Sequence, residues 1–531
     1  MDAKKHLSKL NDHRSEKIAS NVVLCFFAVF GVCFFVPMDI FLANAEDIAF
    51  PIKPLMIFMG LVTAAVFAVL LLVCMLTRGK ANSIIRAIVF GVSAAFYIQG
   101  NFLAVNMGQL DGSRYDLPFW KAAVNIMIWL AILAAPFFIL IKFPKIFDNV
   151  LSYVSMAIIL IQIVALAVSS FVNLQKYAEG SGSEIFDGDT RWINTALDID
   201  TYSKNKNLIV ILADEYDSFC FDSAIKDDPD SVSEFDGFTY YANTVGKYGF
   251  TDLTLRYIFA ADKTAYRDHT FLKTVSENYK SNFYGDVVLI SAAAVSKYSD
   301  NIILKKISLG DTRGYAGSIY KISFFRCMPE ILKPFFQSDG DLGHELSSKT
   351  TDHLDLTNGV PEYSYDDLNF YNSMPRELDP TEDNVFKFFY IFGLHAPRTV
   401  TRDLERASGN SDVSIEDEAV AVNKILNEYL IILKDNGMYD NSEIIIMADH
   451  GHYYEKKFPL LMYKPAHQTE TGIKISHAPI SYDDIFPTFV MLAGGEPNGR
   501  TIFDIGEDEE RVRYFGDTDI EVRGNIKQDP Q

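Results

Sequence analysis

Cysteine is scarce, with five residues in 531. That excludes a disulfide-stapled scaffold and a cysteine-rich zinc or iron–sulfur module. Cys25, Cys33 and Cys74 fall inside apolar runs and read as small packing residues. Cys220 and Cys327 lie outside them and could form one disulfide, but two cysteines make no framework. Basic residues are the minority where most of the polar chain lies. Residues 1–175 hold 13 Lys/Arg and 9 Asp/Glu, whereas 176–531 hold 35 against 60. A surface that acidic repels nucleic acid and bare anionic lipid, so no nucleic-acid partner is expected. A large anionic substrate would need a local cation. Also missing is a small-residue cleavage site after the first apolar run, so that run does not read as a removable signal peptide.

What is present first is apolar length. A helix crossing the hydrocarbon needs about 20 apolar residues. Five stretches qualify, at 19–38, 55–77, 83–105, 121–141 and 150–173. Lys4, Lys5, Lys9, Arg14 and Lys17 precede the first. Arg78, Lys80 and Arg86 follow the second, and Lys142 and Lys145 the fourth. The two other loops carry only Lys53 and Arg114. The alternation holds through all four loops and predicts a cytoplasmic N-terminus. Five crossings then put everything after residue 175 on the other side. The outward loop 99–113 is polar and turn-rich; it reads as a plain connection that could touch a lipid-linked substrate. The spans show no buried charge network, which argues against a transporter.

Residues 176–206 read as a linker, with Gly180-Ser181-Gly182-Ser183 inside it. From Asn207 short apolar runs alternate with helical patterns, which predicts an α/β domain with a mainly parallel central sheet. The expected organisation is thus a five-helix anchor over 1–175, the linker, a catalytic domain over 207–505 and an acidic tail over 506–531. Three strands matter most. The run 208–213 (LIVILA) ends at Asp214, 385–392 (VFKFFYIF) leads into Gly393-Leu394-His395, and 444–448 (IIIMA) ends at Asp449-His450-Gly451-His452. Parallel strands end on one edge, where open α/β sheets bind their ligands. Asp214, His395, Asp449 and His450 are therefore expected to converge. One Asp after a strand is ordinarily a cap; three strands ending in ligand-type residues are not explained by capping. Ser414 is placed to cap a helix over 416–434, with Gly437 to end it.

Asp and His without Cys favour Zn²⁺ or Mn²⁺, whereas Ca²⁺ prefers oxygen alone. Four stretches occur in order: Asn207–Glu215 (NLIVILADE), His395-Ala396-Pro397, Asp449-His450-Gly451-His452, and Asp483-Asp484-Ile485-Phe486-Pro487-Thr488. Together they resemble the motifs of the sulfatase/alkaline phosphatase superfamily. The anchor with an outward domain resembles its membrane branch, the lipoteichoic acid synthases and phosphoethanolamine transferases. The resemblance implies an alkaline-phosphatase-like fold, a bacterial plasma-membrane location and an extracytoplasmic catalytic domain. It also implies a threonine that is both metal ligand and nucleophile. Thr251 fits that pattern best, with Thr254 three residues on, and Thr244 is the runner-up; the Pro often found shortly after is replaced by Leu255-Arg256-Tyr257. Asp214, Thr251, Asp449 and His450 would hold the metal. His395 would bind substrate, protonate the leaving group or hold a second metal.

The activity implied is transfer of a phospho-alcohol group, phosphoglycerol or phosphoethanolamine, to an envelope lipid or lipid-linked glycan through a phospho-threonine. A sulfate-ester or phosphodiester hydrolase is the alternative, and a non-catalytic tethered binding protein a third reading. Glu215 could replace Asp214 as ligand, and His452 and His477 could complete a second site. Asp483 and Asp484 read as a helix start. Cys327-Met328-Pro329-Glu330 lacks the Arg of the sulfatase formylglycine motif and lies too far along the chain to serve as one.

Overall fold

In a computed structural model the chain divides into two compact units, residues 1–189 with 306–350, and residues 190–305 with 351–531. The structure describes residues 17–44, 50–104, 117–180, 190–261, 269–285, 295–336, 363, 366–396, 398–407, 413–452, 457–516 and 520–526. The basic tail up to Arg14, loop positions 105–113, Arg114, linker positions 181–189 and Pro397 lie outside them.

The first unit contains five helices long and apolar enough to span a membrane: Lys17–Ala43, Ile52–Leu76, Gly79–Leu103, Phe119–Lys142 and Phe147–Asn173. Two carry π-helical segments, Gly31–Phe35 and Gln99–Leu103. Against expectation, the bundle does contain a buried charge, whose ion-pair partner Asp148 is 43% exposed. Arg86 is 1% exposed and pairs with Asp148 at 2.5 Å, beside the basic loops. It also bonds Ser20. A charge buried this way needs such partners, and they are contributed by neighbouring helices far apart in sequence.

The second unit is built on a seven-stranded sheet. Its strands are β1 (Asn207–Ala213), β2 (Phe238–Tyr241), β3 (Lys280–Tyr284), β4 (Val385–Ile391), β5 (Ser442–Met447), β6 (Leu461–Lys464) and β7 (Ile473–Ser476). Their order is β7-β2-β6-β5-β1-β4-β3. β1 lies parallel between β4 and β5, β3 is parallel to β4, and β7 to β2. Only β6 is antiparallel, to both neighbours. All seven residues of β1 and of β4 are buried, as strands covered on both faces must be. The helix Ile415–Asp435 packs into this core. Ser414 caps it by accepting from the Asp417 N–H at 3.1 Å, and Gly437 ends it with φ +69°.

The domain boundaries differ from the sequence reading. The expected linker contains strands Thr190–Asn194 and Thr201–Ser203, and the latter pairs with Asp379–Thr381. Strand pairing uses backbone groups that polar composition does not disfavour, and the Asn207 carboxamide clamps both Ser203 N and O. The expected tail folds as well. Strands Arg513–Phe515 and Ile520–Val522 pair, and Arg513, 1% exposed, donates to Asn243 O and Oδ1 and to Gly524 O. The described residues 306–336 group with the membrane helices rather than with the sheet.

Candidate functional site

The ends of β1 and β5 bring the first ligand-type residues together. Asp214 follows β1 directly, and Asp449-His450 follows β5 and Ala448. Because the strands run parallel in adjacent positions, both pairs emerge at one sheet edge. Asp214, Asp449 and His450 each offer a ligand atom within 4.8 Å of the others, and all three are buried. Glu215 adopts a left-handed conformation, φ +56°. That conformation is uncommon for a residue with a side chain, and its N–H donates to Asp449 Oδ1 at 3.1 Å.

Thr251 joins this group from the first turn of the helix Thr251–Ala260. Its Oγ1 is 3.5 Å from both Asp214 oxygens. The other threonines do not converge there: buried Thr244 bonds Tyr241 O at 2.8 Å, and buried Thr254 bonds Tyr248 O at 3.3 Å. At a helix N-terminus, free N–H groups and the helix dipole favour negative charge. A phosphoryl group bonded to Thr251 would sit there.

Of the histidines expected here, His450 belongs to the cluster and His395 is not among its ligand atoms. His450 Nε2 is 3.3 Å from Asp449 Oδ2, and His452 Nδ1 is 3.2 Å from Glu215 Oε2. His395 lies half-buried beyond β4, its Nδ1 2.6 Å from Ala396 O and its ring edge-on to Phe392. Burial works against the Glu215 charge, yet its pKa falls below the usual value through the His452 contact and the nearby His395 and His450. His477 does not join: it is exposed, and its N–H bonds Glu507.

Three residues that sequence reasoning missed support the site. Tyr390, next to last in β4, donates its hydroxyl to Asp214 Oδ2. Asp367 Oδ1 accepts from the N–H groups of Phe392 at 2.6 Å and Gly393 at 3.3 Å. Glu418 Oε1 accepts from Thr399 at 3.1 Å and Val400 at 3.2 Å. The two carboxylates thus grip both ends of the loop that carries His395. Their only sequence signal is an acid in the first turn of each helix, which reads as capping. The expected helix start is present: Ser481 and Asp484 form a capping box, and Asp484 also pairs with Arg511 at 2.8 Å. Asp483 pairs with Lys247 at 3.0 Å.

No protein-family model matches the chain, and none of the curated proteins does. Solved structures do match. One is an integral-membrane lipooligosaccharide phosphoethanolamine transferase of Neisseria meningitidis, at 11% identity over 92% of this chain and 96% of that one, with a TM-score of 0.31. Another is a lipoteichoic acid synthase of Listeria monocytogenes, at 12% identity over 60% and 80%, TM-score 0.33. A third is an alkaline phosphatase superfamily protein of Vibrio parahaemolyticus, at 11% identity over 64% and 86%, TM-score 0.32.

The residues themselves fit a divalent cation. Asp449 Oδ2 is buried and has no hydrogen-bond partner, which is costly unless something else meets it. Burial, then the Asp449 and Glu215 carboxylates, push the Asp214 pKa well above its usual value. Two buried acids facing each other repel; a cation between them removes that repulsion. Two carboxylates, an imidazole and a hydroxyl form a borderline-hard donor set without thiolate.

Proposed function

We propose that this protein is a membrane-bound, metal-dependent transferase that moves a phospho-alcohol group to an envelope lipid or glycan through a phospho-threonine. The observation that carries the reading is the meeting of Thr251 Oγ1, at a helix N-terminus, with the buried group Asp214, Asp449 and His450. Asp214, Thr251, Asp449 and His450 would hold the ion, Zn²⁺ or Mn²⁺. When bound, the ion supplies a lowered hydroxyl pKa and neutralises ester oxygens.

The chain's own residues perform the steps. The Thr251 hydroxyl releases its proton to water as its oxygen bonds to phosphorus. The bond from phosphorus to the donor's alcohol oxygen breaks, and His395 gives that oxygen a proton. The helix N-terminus stabilises the charge on the phosphoryl oxygens. An acceptor hydroxyl then attacks phosphorus as its proton passes to His395, the bond from phosphorus to Thr251 Oγ1 breaks, and the threonine oxygen takes a proton back from water. The basic loops support a bacterial plasma-membrane protein with this site outside the cytoplasm.

A formylglycine sulfatase is disfavoured because Cys327-Met328-Pro329-Glu330 lacks the Arg of that motif. The test is mass spectrometry of the full chain after incubation with membrane lipids. A phosphoglycerol or phosphoethanolamine mass on Thr251, lost on adding acceptor, supports transfer. A bare phosphate or sulfate mass, or none, overturns it in favour of a hydrolase or a binding protein.

A further inference from the structure

The chain leaves the sheet unit after Lys305 and joins the unit of the membrane helices. Residues 306–336 contain a helix, Leu309–Cys327, and a 3₁₀ segment, Glu330–Phe336. Their contacts run along the spans rather than across their tips. Tyr315 stacks on Phe50 at 4.3 Å, and Ile319 clusters with Leu55 and Met59. Tyr320 donates to Cys33 O at 2.8 Å, a carbonyl inside the π-helical segment. Arg326 pairs with Asp39 at 2.8 Å and donates to Gly100 O at 2.9 Å.

The depth of these contacts follows from helix geometry. At 1.5 Å per residue, Asp39 lies about 6 Å inside the end of its span, Asn125 about 9 Å, Met59 about 10 Å and Cys33 about 15 Å. Loop alternation puts all three span ends on one side. A 25-residue helix is about 38 Å long, which exceeds a hydrocarbon core of about 30 Å by only about 4 Å at each end. The segment therefore reaches below the hydrocarbon boundary.

In the 3₁₀ part, Glu330–Phe336, polarity is inverted relative to an element in water. Inward, Glu330 and Lys333 are 3% and 0% exposed and pair at 2.9 Å. Gln99 Nε2 donates to Glu330 Oε1 at 3.3 Å, and its own Oε1 accepts from Asn125 and Trp129. The Glu330 N–H donates to Asn125 Oδ1 at 3.0 Å. Outward, Ile331, Leu332 and Phe335 are 52%, 39% and 79% exposed. Polar groups satisfied within the protein and apolar groups turned outward is the pattern hydrocarbon demands. The Glu330 bond to Asn125 ties the segment to the span Phe119–Lys142, whose Met127 and Leu130 are also exposed.

We infer that residues 309–336 are a sixth membrane-embedded element, a wedge whose Ile331, Leu332 and Phe335 contact phospholipid acyl chains of the leaflet at that end of the bundle. The inference does not depend on the catalytic reading. The test uses the full chain in phospholipid nanodiscs that contain a diazirine-bearing acyl chain. After photolysis, mass spectrometry should find lipid adducts on 331–335 as well as on exposed span residues such as Met127 and Leu130. In parallel, hydroxyl-radical footprinting should oxidise Phe335 less than Phe503, although Phe503 is only 42% exposed in the protein alone. Adducts confined to the five spans would overturn the inference, including where Phe335 is protected, since a protein partner would then be the cover. So would oxidation of Phe335 above that of Phe503.

Discussion

Thr251 Oγ1 stands 3.5 Å from both carboxylate oxygens of Asp214, across 37 residues of sequence. One residue directly follows β1 and the other opens a helix, so rigid elements fix the distance. Replacing Thr251 with Ala removes the attacking oxygen and leaves both elements intact. Turnover should fall by about 10⁴-fold or more, with no mass added to the protein and an unchanged melting curve. Thr251→Ser should keep measurable transfer. Full activity in Thr251→Ala would refute the nucleophile assignment.

Tyr390 acts on Asp214 from the neighbouring strand, in register with Leu212, two positions before that carboxylate. Its hydroxyl fixes one carboxylate oxygen and leaves the other to point into the cluster. Tyr390→Phe should lower metal affinity by about 10- to 100-fold, the usual effect of losing a hydrogen bond to a ligand. Calorimetric titration of metal-free protein with Zn²⁺ and Mn²⁺ reads this directly. Equal affinity in variant and wild type would make Tyr390 a packing residue.

The strands β1, β4 and β5 were legible because each is dominated by an apolar run, interrupted in β4 by Lys387, and each is followed by a ligand-type residue. The five spans were legible for the same reason. The segment 309–336 was not. Its helix mixes Asp311, Arg313, Lys321 and Arg326 among its apolar residues, so no long hydrophobic run marks it. Its partners, Asp39 and Gly100, lie more than two hundred residues away. Tyr390, Asp367 and Glu418 were invisible for a related reason. Each acts through a contact that only the folded chain creates. Arg513 belongs with them, since a basic residue in an acidic tail gives no hint that it will be buried.

Asp367 and Glu418 carry a pH dependence. Burial first, then Asp366, raises the Asp367 pKa to about 8; burial first, then Asp367, raises that of Glu418 to about 9. Arg406 and Arg398 oppose these shifts without cancelling them. In the unfolded chain both titrate near 4. Between about pH 4 and 8 the folded state binds the extra protons, so stability is full at the acid end and falls as pH rises through 8 to 9. From pH 5 to 8.5 the wild-type melting temperature should drop by ~5 °C more than that of Asp367→Asn with Glu418→Gln. Parallel curves would show that the two acids do not titrate in this window.

Gly393 gives the sharpest steric test of how the His395 loop is coupled to the metal cluster. Its φ is +62°, and a methyl group there would meet Asp214 O at 2.3 Å and Asp214 N at 2.7 Å. Those atoms are backbone and cannot swing away. Gly437 has a similar φ, +69°, but its methyl would meet nothing within 4 Å. Both alanine variants therefore bear the left-handed penalty of about 1–2 kcal/mol. Only Gly393→Ala must also displace Asp214, and with it the Leu394 N–H that donates to Asp214 O at 2.8 Å. Gly437→Ala should melt a few degrees lower and turn over normally. Gly393→Ala should lose both metal affinity and at least ~10²-fold in turnover, because an ångström of misplacement at the reacting centre costs that much. If the two variants matched in activity, the loop and the cation ligands would be mechanically independent, and His395 could not be held to the geometry the transfer requires.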